Sequence, residues 1–428
     1  MAAPADEPAA PIAAAARSPR ALIAVIAAGI FVTGFGWPGS FARLPFNWML
    51  KNQLHMSAVD VAEFWAISLL IWYVKPLVGF VCDAYPLFGT RRRGYLLVGT
   101  TLAGLFWLMF AVVPRRYVPF MLVMTVLNIA MVAVSTVVGG LQVEVSQRYD
   151  ATGRLASLRI ALEGVMNLLG GPVGGFLAVC AFGWTALAGA GVTLAFLPVV
   201  VWLYREPRGA PRDAAVWATA RSNFKAVVRS RAMWGATGLL FLVYLAPGFQ
   251  TPMLYYQQDV LKFDPRYIGF LQLLQGAGGI IGAAAYGYLC RRLTLRVSLI
   301  AGILLNAAST LLYLRYDSAR AAALIDSSAA MLSILATLPL YDLAARATPV
   351  GVESFGFSLM MSIRNIAIFA ISDVVGSKLY DRYHVGFKQL VWINAGSSAA
   401  VLLFVPLLPA ALLAAREGDR HAATSPSG

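Results

Sequence analysis

The stretch "GFVCDAYPLFGTRRRGYL" at residues 79–96 decides the fold. It lies between two long apolar runs and gathers a glycine, a carboxylate and three consecutive arginines. Gly79 permits two helices to approach closely, Asp83 accepts hydrogen bonds, and Arg91–Arg93 anchor the chain at a membrane face. These residues predict a charged connection between two membrane-spanning helices.

The composition of the whole chain agrees with this interpretation. The 428 residues are 59% hydrophobic and only 13% charged, with a mean hydropathy of +0.70. A soluble protein would carry about 25% charged residues, and a spanning helix needs about 20 mostly apolar residues. The apolar runs predict an all-α membrane protein with twelve transmembrane helices near 21–42, 59–82, 94–113, 117–142, 157–181, 183–204, 233–256, 266–290, 295–314, 320–344, 353–379 and 388–414.

The distribution of Lys and Arg predicts the orientation of the chain. In a soluble protein the net charge of +14 would indicate a nucleic-acid partner, but here the basic residues lie between apolar runs. With a cytoplasmic N-terminus, 20 of the 34 Lys and Arg fall in cytoplasmic segments and 11 on the opposite side. Because cytoplasmic loops carry the excess of positive charge, we expect a multi-pass protein of a bacterial inner membrane with both termini cytoplasmic.

The longest polar segment, residues 205–232, divides the spans six and six. Six helices on each side of a cytoplasmic linker is the layout of two parallel repeats. We therefore predict a disordered cytoplasmic N-terminus (1–19), an N-terminal six-helix bundle (20–204), the linker (205–232), a C-terminal six-helix bundle (233–414) and a cytoplasmic tail (415–428).

The loop at residues 79–96 resembles one that joins helices 2 and 3 in the major facilitator superfamily, with the pattern Gly-x-x-x-Asp followed by Gly-x-Arg-Arg. A weaker copy, "GYLCRRLTLR" at residues 287–296, stands at the matching place in the second half and lacks the acidic residue. The alternative is that these charges only set the topology. The resemblance implies the 6+6 facilitator fold and a conformational latch of Gly79, Asp83, Arg91, Arg92 and Arg93.

Three stretches resemble the folate–biopterin transporter family within that superfamily. They are "WYVKPLVGFVCDAYPLFGTRRRGYLLVG" (72–99), "PVGVESFGFSLMMSIRN" (349–365) and the helix 1 region at 34–62. The resemblance implies a secondary active transporter that moves a folate- or pterin-like organic anion by alternating access, coupled to protons. One departure is "VGGLQVE" (138–144), where the family often has Asp in place of Gly139; the substrate therefore stays open.

Arg364 is the first candidate for binding substrate. It lies about 11 residues into helix 11, roughly 16 Å along the axis at 1.5 Å per residue, and so near the membrane midplane. An ionisable group there costs several kcal/mol and marks a functional site by default. A guanidinium suits a carboxylate, and Asn365 adds an amide. The alternative is a structural ion pair with Asp342 or Asp326.

Two further polar faces are expected to line the substrate cavity. Arg159 and Glu163 are four residues apart on helix 5, and Asn167 continues the same face one turn deeper. Gln272 and Gln275 share a face of helix 8 and are suited to hydrogen-bond a pterin-like ring. The alternative for Arg159 and Glu163 is an intrahelical salt bridge that serves only the helix.

Two other groups receive gating and coupling roles. Lys75 is assigned with Glu144 to the latch, where it would pair with Asp83, Glu144 or substrate, or else extend to the interface. Proton coupling requires a carboxylate that burial makes easier to protonate. Glu163 and Asp326 are the candidates for this role.

The sequence offers little support for an enzyme or a metal protein. It contains no phosphate-binding loop, no Ser/His/Asp constellation and no metal-ligand spacing among its scattered histidines. Tryptophans such as Trp37 and Trp107 are interpreted as interfacial belt residues. We expect no cofactor, a monomer in membrane lipid, and a small-molecule substrate. The alternatives are an exporter of other metabolites or drugs, a membrane sensor, or an integral-membrane enzyme.

Overall fold

The computed structural model describes residues 19–148, 152–207, 221–222, 224–225, 227–289, 292–348 and 353–408. Within these ranges the chain is almost entirely helical, and the single β-type pairing is the bridge between Leu87 and Thr90. Besides a short helix, Arg43–Asn52, the first half has six long helical segments. They are α1 (Pro19–Phe35), α2 (Ala58–Ser68, Leu70–Tyr73 and Lys75–Ala84), α3 (Arg93–Val112), α4 (Tyr117–Arg148), α5 (Thr152–Ala178) and α6 (Phe182–Leu194 and Phe196–Leu203).

Six further segments follow the linker, and together they form the second half of the molecule. They are α7 (Arg231–Leu245, Gln250–Tyr255 and a π-helix at Tyr256–Val260), α8 (Pro265–Leu289), α9 (Leu295–Leu312, continued by a 3₁₀ turn Tyr313–Arg315), α10 (Ala319–Ala347), α11 (Glu353–Asn365, a π-helix at Ile366–Ser372 and Asp373–Asp381) and α12 (Phe387–Ala400 with a 3₁₀ segment Val401–Leu407). The predicted all-α membrane fold is confirmed.

Nine of the described segments, α3, α4 and α6–α12, are long and apolar enough to cross a membrane. The other three differ for local reasons. The α1 helix has only 17 residues, α2 is interrupted at Leu69 and Val74, and α5 carries charged side chains such as Arg159 and Glu163. The order of twelve segments is consistent with the predicted count. The linker boundary stays a prediction, since most of residues 205–232 lie outside the described ranges.

Aromatic side chains pack the first half around the short helix Arg43–Asn52, which follows α1. Phe46 of this helix contacts Phe110 and Phe182 at ring-centroid distances of 4.9 and 5.0 Å. Trp107 of α3 is fully buried beside them and donates a hydrogen bond to the Gly36 carbonyl at 3.0 Å. Because Trp107 lies in the core, its interpretation as an interfacial belt residue is wrong.

Glycines bring α5 of the first half against α8 of the second. A Cβ added at Gly171 would lie 2.4 Å from the Gly269 carbonyl oxygen, and one at Gly269 would lie 2.4 Å from the Gly171 oxygen. Neither position tolerates a side chain without moving a backbone. Close approach through small residues is how membrane helices associate, so this crossing fixes the two halves against each other beside the cavities.

Candidate functional site

A cavity of about 340 Å³ lies between α1, α2, α4 and α5 of the first half and α11 of the second. We call it the basic cavity, because three of its charged side chains are basic and one is acidic. It is lined by Ile30, Thr33, Gly34, Trp37, Leu69, Trp72, Tyr73, Lys75, Ser135, Val138, Gly139, Arg159, Glu163, Met166, Arg364, Asn365 and Phe369. The structure thus brings four of the seven predicted substrate residues into one cavity.

Arg364 reaches this cavity from the last α-helical turn of the first part of α11. Its guanidinium carbon lies 4.6 Å from the Tyr244 ring centroid and 5.6 Å from that of Tyr341. Nη1 donates to Asn365 Oδ1 at 3.3 Å. Nε is buried without a hydrogen-bond partner, and no carboxylate of the described residues forms an ion pair with the guanidinium.

The two carboxylates considered as structural partners of Arg364 bind other groups. Asp342 accepts two hydrogen bonds from Arg346, both of 2.8 Å, one turn along α10. Asp326 accepts from Gln275 and two tyrosines in another part of the molecule. Within the described residues Arg364 therefore keeps an uncompensated positive charge on the cavity wall, where aromatic faces hold it.

The other two basic residues of the cavity are partly engaged. Lys75 Nζ donates to Ser135 Oγ at 2.8 Å and lies 5.2 Å from the Trp72 ring centroid. Its described hydrogen-bond partner is thus on α4, rather than Asp83 or Glu144 of the predicted latch. Arg159 Nε donates to Glu163 Oε1 at 2.9 Å, and both side chains are about half exposed. The helix 5 pair is both an intrahelical salt bridge and part of the cavity wall.

Gly139, the position at which the sequence departs from the family pattern, lines the basic cavity. A Cβ built on it would meet nothing within 4 Å. A side chain here would enter open space beside a cavity that Lys75, Arg159 and Arg364 also line. The glycine therefore leaves the cavity larger and more positive than an acidic residue at this position would.

Two tryptophans line the basic cavity, a role that the sequence analysis assigned to neither. Trp37 and Trp72 both donate an indole hydrogen bond to Asn128 Oδ1, at 3.1 and 2.8 Å, and their rings lie 5.6 Å apart. Asn128 is fully buried on α4. The interpretation of Trp37 as a belt residue is wrong, because an apolar neighbourhood in sequence does not distinguish an interface from a buried cavity wall.

Gln272, Gln275 and Asp326 line a different cavity of about 320 Å³, the Asp326 cavity. It lies between the short helix Arg43–Asn52, α7, α8 and α10. Asn167 belongs to neither wall; its carbonyl oxygen lies at the α5–α8 crossing, 3.2 Å from a Cβ built on Gly276. Helical spacing placed Gln272 and Gln275 on one face of α8, and both line this cavity. It carried no information about depth, so the residues predicted to form one substrate site are divided between two cavities, and Asn167 lines neither.

Asp326 is fully buried and held by neutral donors. Its Oδ1 accepts from Gln275 Nε2 at 2.9 Å and from the Tyr313 hydroxyl at 3.0 Å. Its Oδ2 accepts from the Tyr316 hydroxyl at 2.7 Å, and that hydroxyl in turn accepts from Gln257 at 2.7 Å. No Lys, Arg or His among the described residues forms an ion pair with Asp326.

The loop at residues 79–96 is cross-linked to the ends of α4 and α6. Arg92 is 8% exposed, forms an ion pair with Glu144, and donates to the Val137 carbonyl at 3.3 Å. The Asp83 side chain lies outside the described residues. Glu206, just after α6, accepts from the backbone N–H groups of Arg91, Arg92 and Arg93 at 3.0, 3.0 and 2.7 Å.

Glu206 therefore occupies the N-terminus of α3, where a carboxylate is favoured by the unpaired N–H groups and the helix dipole. Sequence analysis missed it, since Glu206 lies over 100 residues from its partners. A Cβ built on Gly79 would lie 3.2 Å from the Thr136 methyl group of α4, so the glycine lets α2 pack closely against α4. The latch residues thus tie α2, α3, α4 and the end of α6 into one unit.

At the opposite end of the helices, polar contacts join the two halves directly. Lys51 forms an ion pair with Asp259, and Glu63 with Lys378 at 3.2 Å. Asp381 accepts from the Val59 backbone N–H at 2.8 Å. At the latch end the rings of Phe80 and Phe355 join the two halves, with their centroids 5.2 Å apart. The polar contacts of the described residues therefore hold the halves together at the Lys51 end, and an aromatic contact joins them at the latch end.

Twelve long helices in two halves, with a cavity between the halves, form the fold seen in transporters of the major facilitator superfamily. A crystal structure of a D-xylose–proton symporter shares this fold with a TM-score of 0.69 and 16% identity, covering 91% of this chain and 98% of that chain. A mutant of the nucleoside transporter NupG matches with a TM-score of 0.68 and 11% identity, covering 90% and 99%.

The chain belongs to the BT1 family, whose model matches residues 36–425. It is 26% identical to a folate-biopterin transporter of Synechocystis sp. over 86% of this chain and 78% of that protein. It is 22% identical to the probable folate-biopterin transporter 4 of Arabidopsis thaliana, over 90% and 92%. The protein is therefore a secondary transporter rather than an enzyme, and the resemblance of its sequence to this family is confirmed.

Proposed function

We propose that the protein carries a folate- or pterin-like organic anion across the membrane by alternating access, with Arg364 binding a carboxylate of the substrate. The observation that carries this proposal is the uncompensated guanidinium on the wall of the basic cavity. A guanidinium binds a carboxylate through two parallel hydrogen bonds and stays charged at every physiological pH.

The other charges of the cavity support an anionic substrate. Lys75, Arg159 and Arg364 face one carboxylate, Glu163, which Arg159 already binds. The described lining thus carries an excess of two positive charges, and in a membrane protein such groups line substrate pathways. Asn365 adds an amide beside Arg364. Similarity to a folate-biopterin transporter and to a folate transporter of Plasmodium falciparum favours folates and pterins.

Asp326 is the proton-coupling group in this proposal. The Asp326 carboxylate is buried and has no ion-pair partner among the described residues. Binding a proton therefore changes the net charge of the protein interior, which a proton-coupled transport cycle requires. Tyr313 and Tyr316 hydroxyls donate to the carboxylate and are able to accept instead once it is protonated. Glu163, which is paired and half exposed, is the second candidate.

We further infer the surroundings of the transporter from charge and contacts. The latch end, with its arginines, faces the cytoplasm of a bacterial inner membrane, together with both termini. The Lys51 end, where two ion pairs join the halves, then faces outward. Loss and re-formation of the pairs Lys51–Asp259 and Glu63–Lys378 would accompany each transport cycle in a monomer.

Equilibrium binding to the purified protein tests the substrate class. Folate should bind, whereas folate with both glutamate carboxylates converted to amides should bind at least tenfold more weakly, because Arg364 then has no anion to neutralise. A lipophilic cation serves as the control for a drug exporter. Binding of the cation and the diamide with affinities equal to that of folate would contradict the proposal.

A further inference from the structure

A third cavity, of about 480 Å³, lies wholly within the second half between α7, α8, α9, α10, α11 and α12. Its twenty lining residues include no Asp, Glu, Lys, Arg or His. We call it the uncharged cavity. Because burying an ion without an opposite charge is costly, this lining favours an occupant that is neutral where it touches the wall.

The wall nevertheless carries several polar groups with free hydrogen-bonding capacity. The side chains of Asn306 and Ser333 have no hydrogen-bond partner among the described residues, and Asn394 uses only its Nδ2, which donates to the Pro247 carbonyl at 2.8 Å. Thr337 accepts from the Tyr244 hydroxyl at 3.3 Å. Amide and hydroxyl groups on several helices therefore converge on one space.

Aromatic faces border the same space. The rings of Phe249 and Tyr313 both line it, with their centroids 5.3 Å apart. A flat heteroaromatic ring fits such a wall, since it stacks on aromatic faces while its edge exchanges hydrogen bonds with amides and hydroxyls. An aliphatic ligand would leave the amide groups unpaired at a cost.

The uncharged cavity adjoins the basic cavity through one contact. Tyr244 lines the uncharged cavity, and the Arg364 guanidinium of the basic cavity stacks on its ring at 4.6 Å. In α11, Ile368 faces the uncharged cavity, whereas Asn365 and Phe369 face the basic one. The π-helix Ile366–Ser372 lies at this boundary, and such segments often mark functional sites.

We propose that the substrate binds across both cavities, with the uncharged cavity as a subsite for a neutral, flat ring bearing amide-like donors and acceptors. This proposal rests on the proposed function, because it extends the ligand held by Arg364. A folate carries such a ring, its pterin, at one end and carboxylates at the other. A pterin without a carboxylate, such as biopterin, uses the ring subsite alone.

Three ligands and three variants separate the subsites in the full-length protein. Asn306→Leu keeps the side-chain size but removes the amide, and Ser333→Ala removes one hydroxyl. Each should weaken folate and biopterin binding, by roughly fivefold for a lost hydrogen bond. Both should leave 4-aminobenzoylglutamate, which has no pterin ring, unaffected. Arg364→Gln should do the reverse, sparing biopterin and weakening the two carboxylate ligands.

Thr125→Val is the matched control, because the Thr125 hydroxyl donates only within α4 and lines none of the three cavities. Folate and biopterin binding that is unchanged in both Asn306→Leu and Ser333→Ala, with melting temperatures equal to the wild type, would overturn the ring subsite alone. Biopterin binding that depends on Asn306, without any folate binding, would overturn the anion proposal and leave the ring subsite standing.

Discussion

Replacing Arg364 by glutamine removes the positive charge from the basic cavity and keeps an amide of similar reach. In the structure the guanidinium has no described carboxylate partner, and its Nε is buried without a hydrogen bond. It is therefore available to a substrate carboxylate through two charge-assisted hydrogen bonds. The first consequence of Arg364→Gln should be weaker binding of anionic substrate.

The size of the effect follows from those two bonds. A hydrogen bond to a charged group contributes about 1.5–3 kcal/mol, and the amide of glutamine would recover part of it. A net loss of about 3 kcal/mol corresponds to a Kd raised roughly a hundredfold. Arg364→Lys should lie between the two, because an ammonium keeps the charge but not the planar pair of donors.

Stability separates this prediction from a structural role. Arg364→Gln leaves no described carboxylate without its partner. It loses the contacts with Tyr244 and Tyr341, about 1–2 kcal/mol, and the long hydrogen bond to Asn365. Arg346→Gln is the matched control: it abandons Asp342, with which Arg346 makes two 2.8 Å bonds. That control should lower the melting temperature and leave folate affinity unchanged.

Isothermal titration of folate into each purified variant, with a thermal melt on the same preparation, measures both quantities. Wild-type affinity in Arg364→Gln would refute the assignment. A large drop in melting temperature accompanying unchanged binding would make Arg364 a structural residue.

Three further predictions concern coupling, the gate and the latch. Asp326→Asn, measured in proteoliposomes, should abolish the response of uptake to a pH gradient while counterflow of folate persists; uptake that still follows the gradient would exclude Asp326. Lys378→Glu should repel Glu63 and separate the two halves at the Lys51 end, so that distances between spin labels placed across this end increase. Adding Glu63→Lys should restore the wild-type distances, whereas distances unchanged in Lys378→Glu would contradict the role of this ion pair. Glu206→Gln removes the charge at the start of α3, and should cost about 1 kcal/mol, seen as a lower melting temperature with normal affinity; an unchanged melt would contradict the role.

The helical architecture was predictable because hydropathy is a local property. Each span needs only its own 20 or so residues to be apolar, so twelve segments could be placed without knowing their neighbours. The same holds for Arg364. An ionisable side chain within a membrane span is energetically costly, so its position alone makes it a functional candidate. Its lack of a described carboxylate partner was not predictable, since that depends on where Asp342 and Asp326 point.

The sequence did not indicate which cavity each polar side chain lines, or which residues far apart in the chain form ion pairs. Gln272 and Gln275 share a face as predicted, yet they line the Asp326 cavity because α8 crosses α5 at glycines rather than facing Arg364. The pair Lys51–Asp259 joins residues 208 positions apart, and no local pattern identifies such partners. The π-helix that follows Asn365 also changes which side chains of α11 face each cavity.

Uptake of labelled folate by proteoliposomes tests the central claim, that this protein transports a folate-type anion, most directly. The wild-type protein should accumulate folate inside the vesicles when the interior is made alkaline, and excess unlabelled folate should compete. Arg364→Gln vesicles with equal protein content should show a rate near that of empty liposomes. Equal uptake by wild-type, Arg364→Gln and protein-free vesicles would contradict the account.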